Sequence, residues 1–377
     1  MTIKKEEFTM SDLPNSVTIV DDTMREGLQI EDKDIPVSQK LRLLDALGET
    51  GAKVISIGSF ASPKWTPQMA NIDEIAERFV PKPGIVYTAA VFNPKGFERA
   101  SRYHPKLDMS RVRYRTMVEL SNTFAMRNYN TTIEQQIARW PGVIKRAKEA
   151  GVEEGHVALG SCWGCNFEGD HSLEQRMRSL EIQIELWHEN GFKVRSVFFA
   201  DAMGWNMPDQ VRETLDAVRD TWPEITEIRC HFHNTRGVAI VSYYEALKAG
   251  ATHFETCLGG MGGCPYCGNG RAAGHVPTED FVHMCEEMGV HTGYNLDKLI
   301  EAVAIAEEVV GHPLWGHVSK AGPRPRGNRL YPKDLPFIET LDEAAHFRKD
   351  PSVYDHKIAP WREYPDSPIA KALSDSS

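Results

Sequence analysis

Short apolar, β-branched runs alternate with longer amphipathic stretches from Ser16 onwards. Apolar runs of about four to eight residues are typical of strands buried on both faces, whereas apolar residues every three or four positions are typical of helices that cover a sheet. Eight strand candidates follow one another along the chain: SVTIVDD, AKVISIG, GIVYTAAVF, RYRTMVEL, EEGHVALGS, VRSVFFAD, TEIRCHFH and THFETCL. This alternation predicts parallel strands joined by crossover helices.

Amphipathic stretches separate the strand candidates, and several of them end at a glycine that can close a helix. The clearest are SQKLRLLDALGET, TIEQQIARWPGVIKRAKEA, SLEQRMRSLEIQIELWHEN, PDQVRETLDAVRDTW and VAIVSYYEALKA. Eight such strand-and-helix units predict an α/β protein with the architecture of a (β/α)₈ TIM barrel. A doubly wound sheet would need a glycine-rich turn after its first strand, and here that strand ends in DDTMREG.

The chain is predicted to have two parts, a catalytic barrel over residues 1–290 and a C-terminal part over residues 291–377. The barrel closes with the helical pattern PTEDFVHMCEEMG. One more helix, NLDKLIEAVAIAEEVV, follows it and leads into a proline-rich extension. Because proline interrupts helices, the extension is predicted to be an extended arm that packs on the barrel or on a second subunit.

Charge and cysteine content narrow the class of partner and the compartment. A net charge of −10, from 43 basic and 53 acidic residues, argues against a nucleic-acid or anionic-membrane surface, so a small-molecule partner is expected. Seven cysteines scattered through a long chain suit reduced thiols. No apolar run is long enough to span a membrane, and the N-terminus lacks the apolar core of a signal peptide. A cytoplasmic protein is therefore expected.

Polar residues at the carboxyl ends of the strands give the candidate chemistry, because a TIM barrel builds its active site there. The first strand is followed by Asp22, Arg25 and Glu26, and the seventh carries His231 and His233. Two histidines at positions i and i+2 of a strand share a face, and their imidazoles can ligate a metal. A carboxylate from the first strand can supply an oxygen ligand across the barrel mouth, because the first and eighth strands are neighbours in a closed barrel. Histidines held only by hydrogen bonds remain the alternative.

The segment CLGGMGGCPYCGNGRAAGH follows the eighth strand and contains the pair Cys264 and Cys267. A second pair, Cys162 and Cys165, lies in CWGC. Both pairs have the spacing of a redox site or half a zinc site, so a thiol redox or zinc-binding protein is an alternative function. CPYC in a redox protein opens a helix in a small domain, however, and here glycines flank it late in a long chain. A third alternative is a barrel that binds without catalysing.

Several motifs resemble those of the 3-hydroxy-3-methylglutaryl-CoA lyases and, more broadly, of the DRE-TIM metallolyases. The motifs are REGLQ, SFASPKWTPQM, NPKGFERA, CHFHNTRG, GGCPY and PTEDFVHM, in chain order between residues 16 and 312. The resemblance implies retro-Claisen cleavage of a 3-hydroxyacyl-CoA thioester to an acyl-CoA and a keto acid. The alternative within the family is the reverse sense, condensation of an acyl-CoA with a 2-oxo acid, as in the isopropylmalate and homocitrate synthases.

The resemblance also implies roles for particular residues. Glu26, His231 and His233 would hold a divalent metal, Arg25 would stabilise the developing enolate, and Cys264 would transfer a proton from a mobile loop. Asp201, in FADAMG, matches a strand-six aspartate and is the expected base or substrate orienter. The expected substrate-binding residues are Gln29, Ser56, Asn93, Arg236 and Asn269.

The chain departs from the lyase pattern at four places. Ser56 stands where the lyases have glutamate, and Glu26 stands where they have aspartate. Asn234 and Arg236 replace an aspartate and a tyrosine after the histidine pair; the asparagine resembles the synthase pattern, and the arginine is expected to bind an extra carboxylate or phosphate. The loop after GGCPY is longer, so His275 falls where an asparagine usually completes the metal shell.

The last departure bears on the metal. His275 is expected as the fourth ligand, with Asn269 as the alternative. Mg²⁺ or Mn²⁺ is the first expectation and Co²⁺ or Zn²⁺ the second, and an added imidazole shifts the preference towards the later metals. The protein is expected to form a homodimer or a larger homo-oligomer.

Overall fold

The predicted strands all form. The computed structural model describes residues 13–110, 114–267, 272–327 and 330. Each of the eight strand candidates corresponds to one strand of a single parallel sheet, to within one residue at the ends. The strands are β1 (Thr18–Asp21), β2 (Val54–Ser59), β3 (Val86–Ala90), β4 (Arg115–Glu119), β5 (Glu154–Gly160), β6 (Lys193–Asp201), β7 (Glu227–Phe232) and β8 (His253–Thr256).

The order of the strands is that of a barrel. Hydrogen bonds join them in the order β3-β2-β1-β8-β7-β6-β5-β4, so that strands consecutive in the chain are paired except for β3 and β4, which are the two ends of the order. The first strand pairs in parallel with the last, with Thr18 opposite His253 and Asp21 opposite Thr256. The pairing of β1 with β8 is the connection that an open doubly wound sheet lacks, and the prediction of a (β/α)₈ TIM barrel is confirmed.

Helices separate the strands. They are α1 (Val37–Gly48), α2 (Ile72–Arg78), α3 (Pro94–Ser101), α4 (Asn122–Tyr129), α5 (Ile133–Ile137), α6 (Trp140–Glu149), α7 (Leu173–Glu189), α8 (Pro208–Thr221), α9 (Ala239–Lys248), α10 (Thr278–Glu287) and α11 (Leu296–Val310). A short antiparallel hairpin, Gly164–Cys165 with Gly169–Asp170, follows β5.

One predicted helix is two. The stretch TIEQQIARWPGVIKRAKEA forms α5 and α6, with a break at Ala138 and Arg139. Pro141 has no amide hydrogen to donate to the carbonyl of Ile137, so it fits only in the first turn of a helix, and α6 begins there.

Side chains alternate between the outside and the lumen along each strand. Outward-facing residues pack on the helices, as where the Trp187 indole on α7 donates a 3.1 Å hydrogen bond to Thr116 on β4. Inward-facing residues fill the lumen, where Ala158, Phe198 and Ala200 form an apolar cluster with Met117 packed against it. This cluster leaves the carboxyl ends of the strands as the place where polar groups meet.

The chain divides into two compact units, with the boundary in the sequence between Trp315 and Gly316. Within the first unit, α11 packs against α1. The second unit contains the short helix α12 (Val318–Ala321). Most of the predicted proline-rich arm lies outside the described residues, and the division at residue 290 stays a prediction. In the part of the chain that the structure describes, no helix has the length and apolarity needed to cross a membrane.

Candidate active site

Four buried side chains converge at the carboxyl ends of the strands. Glu26 comes from the turn after β1, His231 from β7, His233 from just beyond it, and His275 from the loop after β8. One ligand atom of each lies within 4.8 Å of the others. The Glu26 Oε1 atom is 3.4 Å from Nε2 of His233 and 4.0 Å from Nε2 of His275. The structure therefore brings together the four residues predicted to hold a metal.

The glycine-rich segment after β8 brings His275 into this cluster. The amide of His275 donates to the Met261 carbonyl at 3.1 Å, and the residue forms a β-bridge with His233. The chain passes so close to itself that a Cβ on Gly274 would lie 2.2 Å from the Gly262 carbonyl oxygen. Only glycine fits at such a contact. The conformation of the loop, rather than thiol chemistry, accounts for Gly274.

The cluster fits a divalent metal. Both ring nitrogens of His233 and of His275 are buried and have no hydrogen-bond partner among the described residues. Buried polar atoms without partners are unfavourable, and four of them in one place indicate a ligand. Burial, with the charges of His231, His233 and Arg25, holds the pKa of His275 well below its usual range. A neutral imidazole has the lone pair that a metal requires, and three imidazoles with one carboxylate suit a divalent transition metal.

A carboxylate outside the cluster orients His231. Nδ1 of His231 lies 2.7 Å from Oε2 of Glu255 on β8, which leaves Nε2 as the nitrogen for a ligand. Burial would raise the pKa of Glu255, but the hydrogen bond from His231 and the nearby guanidinium groups of Arg229 and Arg25 lower it to about 2. Glu255 is a candidate site residue that was not predicted from the sequence. It lies two positions after His253 on a predicted strand, and this spacing was the available signal.

Arg25 is held beside the metal-ligand cluster. Its Nη1 donates to Asp22 Oδ2 at 3.1 Å and also forms an ion pair with Glu26. Burial raises the pKa of Asp22, and the Arg25 charge acts in the opposite direction. The side chain of Ser56 on β2 also hydrogen-bonds to Asp22, so Ser56 faces the same lumen. These contacts fix a cationic group next to the place where a ligand of the metal would lie.

The two cysteines of CPYC lie in different environments. Burial raises the pKa of Cys264 to about 12, so its thiol is protonated at neutral pH. Burial raises the pKa of Cys267, but His233, the backbone of Cys264 and Thr235 together bring that pKa below its usual value. All seven cysteines are free thiols. Cys264 is thus a protonated acid at the rim of the barrel.

Asp201 makes its contacts within its own loop. Oδ1 accepts a hydrogen bond from the Met203 amide at 3.3 Å, and Oδ2 accepts one from the Asn206 amide at 2.7 Å and another from the Asn206 side chain. Both oxygens are occupied and the side chain is buried. These bonds shape the loop after β6, and the role of base stays a prediction.

The predicted substrate-binding residues are not all in one place. Arg236 donates through Nη1 to the carbonyl oxygens of Met203 and Gly204, at 3.0 and 3.2 Å. Asn93 is the N-cap of α3, because its Oδ1 accepts from the Gly96 amide at 2.8 Å. Gln29 is half-buried in the turn after β1. Their contacts with substrate stay predictions, and Asn269 lies outside the described residues.

Glu119 is the second residue that sequence reasoning missed. It is the last residue of β4 and is 2% exposed. It lies two positions beyond Met117, so the alternation of the strand turns it into the lumen. The available signal was a carboxylate at the end of a predicted strand. The sequence does not give the register of the strand, so this carboxylate could not be distinguished from other charged residues at strand ends.

An eight-stranded parallel barrel with a buried cluster of imidazoles and a carboxylate at the carboxyl ends of its strands is the arrangement of a metal-dependent barrel enzyme. Residues 16–305 match the model of the HMGL-like family. The chain belongs to the HMGL-like family.

Individual relatives are similar over most of their length. The mitochondrial hydroxymethylglutaryl-CoA lyase of Mus musculus is 35% identical over 295 residues, which are 78% of this chain and 86% of that protein. A hydroxymethylglutaryl-CoA lyase of Bacillus subtilis is 32% identical over 80% of this chain and 95% of its own. A solved HMG-CoA lyase from Acinetobacter baumannii, in complex with coenzyme A and 3-methylmalate, has a TM-score of 0.69 and 29% identity, covering 88% of this chain and 99% of that one.

Proposed function

We propose that this protein is a carbon–carbon lyase that cleaves hydroxymethylglutaryl-CoA to acetyl-CoA and acetoacetate. The observation that carries the proposal is the grouping of Arg25, the Glu26 and histidine cluster, and Cys264 at the mouth of the barrel. Relatives with the same activity in their names match this chain over most of its length. The coenzyme A complex of the Acinetobacter baumannii relative supports a coenzyme A thioester as the substrate here.

Glu26, His231, His233 and His275 would hold the metal. A divalent ion bound there supplies Lewis acidity to the substrate hydroxyl and to an adjacent oxygen, lowering the pKa of the hydroxyl. Three imidazoles and one carboxylate favour Mn²⁺, Co²⁺ or Zn²⁺ over Mg²⁺, which prefers oxygen ligands. We propose one of the three later metals, and metal analysis of the purified protein checks this.

Arg25 and Cys264 would both act on the enolate that forms when the carbon–carbon bond breaks. Cleavage leaves an enolate on the thioester fragment, and the guanidinium of Arg25, fixed by Asp22 and Glu26, would neutralise its oxygen. The protonated thiol of Cys264 would then donate its proton to the enolate carbon.

The condensation alternative has less support from the geometry. Asn234 was the residue that resembled the synthases, and its Oδ1 accepts a 3.0 Å hydrogen bond from the amide of Ala239 at the start of α9. This contact gives the asparagine a role in local folding that is independent of the direction of the reaction. Glu26 remains in favour of condensation, and we propose cleavage as the main direction.

Assembly and location form part of the proposal. We infer a cytoplasmic enzyme that works as a homodimer or a larger homo-oligomer. Light scattering after size-exclusion chromatography checks the assembly, and fractionation of cells that express the protein checks the location. A monomer at micromolar concentration would contradict the first inference.

Turnover of coenzyme A thioesters tests the proposed reaction. The protein is loaded in turn with Mg²⁺, Mn²⁺, Co²⁺ and Zn²⁺ and given hydroxymethylglutaryl-CoA and related 3-hydroxyacyl-CoA thioesters, and products are followed by mass spectrometry in both directions. Cleavage is expected in the wild type and in Cys285→Ala, a buried cysteine of α10, and is expected to be lost in Cys264→Ala. If no thioester is cleaved with any metal, the proposal is wrong.

A further inference from the structure

Cleavage requires a base for the tertiary hydroxyl of the substrate, because the carbonyl of the keto acid forms as that hydroxyl loses its proton. Most carboxylates at the mouth of the barrel already have partners. Asp22 is paired with Arg25, and Glu26 lies in the metal-ligand cluster. Glu255 is taken up by its 2.7 Å hydrogen bond to His231. Asp201 uses both of its oxygens within its own loop.

Glu119 is different, because the barrel leaves a space for its carboxylate. It lies opposite Gly160 in the register of β4 and β5. A Cβ on Gly160 would lie 2.1 Å from the Glu119 Oε1 atom and 2.3 Å from Oε2. A side chain on the neighbouring strand would displace the carboxylate, so the glycine and the glutamate form a matched pair.

The backbone next to this space is strained. Ser161, directly after Gly160, has a positive φ of 44°, which is unfavourable for a residue with a side chain. Such strain persists where surrounding contacts hold it and is concentrated at functional sites. The carbonyl of Ser161 lies 2.7 Å from Nδ1 of His171, and its Oγ accepts a 3.3 Å hydrogen bond from the Ser121 amide. The strained residue presents its side chain to Glu119.

The carboxylate of Glu119 is buried but incompletely paired. Its Oε2 atom has no hydrogen-bond partner in the described part of the chain. Burial raises the pKa of Glu119 to about 7, and the side chains of Ser161 and Tyr129 lower it only in part. A base whose pKa lies near the working pH is the most effective in proton transfer.

Glu119 also lies near the groups that act in the reaction. The negative charge of Glu119 raises the pKa of the Cys264 thiol, in the loop after β8. The charge of Glu119 also raises the pKa of the Tyr129 hydroxyl on α4. The charge of Arg25 lowers the pKa of that hydroxyl, and Cys264 raises it. Glu119 therefore lies within electrostatic range of Tyr129 and Cys264, and Tyr129 lies within the same range of Arg25.

We propose that Glu119 is the catalytic base that takes the proton of the substrate hydroxyl, an inference that rests on the proposed function. The O–H bond breaks, its proton goes to the Glu119 carboxylate, and its electron pair forms the new carbonyl bond. The carbon–carbon bond breaks, and its pair passes to the thioester fragment as an enolate. The enolate carbon takes the proton of Cys264. The proton on Glu119 then returns to the Cys264 thiolate through solvent, which restores both groups.

The test uses the metal-loaded enzyme and two substitutions of Glu119. Glu119→Gln keeps the shape and removes the base, and Glu119→Asp keeps a carboxylate. Glu153→Gln, at an exposed position before β5, is the control. Values of kcat and KM are measured across pH, together with metal content and thermal stability.

Glu119→Gln is expected to lower kcat about 100-fold or more, with metal content and KM little changed. The decline of wild-type kcat/KM below about pH 7 should disappear with it. Glu119→Asp should keep part of the activity, and Glu153→Gln all of it. A Glu119→Gln enzyme with wild-type kcat and the same decline at low pH would overturn the proposal.

A second measurement is independent of turnover. Infrared difference spectroscopy of the wild type against Glu119→Gln follows the protonation of this carboxyl in the metal-loaded protein. A midpoint near pH 7 is expected, and a midpoint near the ordinary glutamate value of about 4.3 would overturn the proposal even if no substrate were found. Absence of wild-type turnover would count against the proposed function alone.

Discussion

The space between Gly160 and Glu119 predicts a coupling that can be measured. Gly160→Ala places a Cβ 2.1 Å from Glu119 Oε1 and 2.3 Å from its Cδ, so the carboxylate has to move. Gly160 does not have a positive φ, so alanine introduces no backbone strain of its own. Overpacking of this kind costs about 1–3 kcal/mol. We expect a loss of about 2 kcal/mol in the free energy of unfolding, together with a lower kcat.

A double-mutant cycle isolates the cause. In a Glu119→Ala background the carboxylate is absent, and Gly160→Ala should then cost less than about 1 kcal/mol, giving a coupling of about 1–2 kcal/mol between the two positions. Gly142→Ala is the matched control, because that glycine lies in α6 and its nearest side-chain atom is 3.5 Å from the added Cβ. It should stabilise the protein by about 0.5–1 kcal/mol. Denaturant unfolding and kcat are measured for each variant.

Two results would refute this reasoning. If Gly160→Ala destabilised the protein equally with and without the Glu119 side chain, the clash would lie elsewhere. If it displaced the carboxylate, as shown by the coupling, but left kcat unchanged, the position of Glu119 would not matter to the reaction.

Three further predictions concern the metal, the acid and the loop after β6. His275→Ala removes one of four ligands and should weaken metal binding at least 10-fold in competition with a chelator, and unchanged affinity would exclude it from the shell. Burial raises the pKa of Cys264 to about 12, so the thiol stays protonated as the pH rises and kcat should not decline with a midpoint near pH 8.5. A decline at that pH in the wild type that is absent from Cys264→Ser would contradict the assignment of Cys264 as the acid. Arg236→Ala removes two hydrogen bonds to carbonyl oxygens and should lower the free energy of unfolding by about 1–2 kcal/mol. A rise in KM with unchanged stability would instead support the predicted anion-binding role of Arg236.

The repeating part of the fold could be predicted from the sequence because burial on both faces imposes a continuous apolar pattern on every strand. Six of the eight strands lie within the predicted runs, and β2 and β6 each extend one residue beyond theirs. The helices α2, α3 and α4 are short, with seven or eight residues each, and their pattern is too brief to stand out from loops. The break between α5 and α6 depends on the position of Pro141 within one turn, which periodicity alone does not resolve.

The site could be predicted where its residues lie on strands or directly after them. His231, His233 and Glu26 follow from strand ends and from the resemblance, and His275 from its place in the loop after β8. The actual contacts of Asp201 and Asn93 could not be predicted, because an aspartate or asparagine that caps its own loop has the same residue type as one that binds a ligand. Pairing across strands, as between Glu119 and Gly160, requires the register.

The pairing of β1 with β8 has a consequence for biosynthesis and for stability. Glu26 lies near the beginning of the chain and His275 lies beyond its eighth strand, so the four predicted ligands come together only after the first and last strands have paired. A ribosome-bound chain that lacks the last strand has three of the four predicted ligands, without His275, and would hold an ion less tightly. A metal that binds only the closed ring stabilises it by mass action, so chelation should lower the melting temperature and open the barrel first at the seam between the first and last strands.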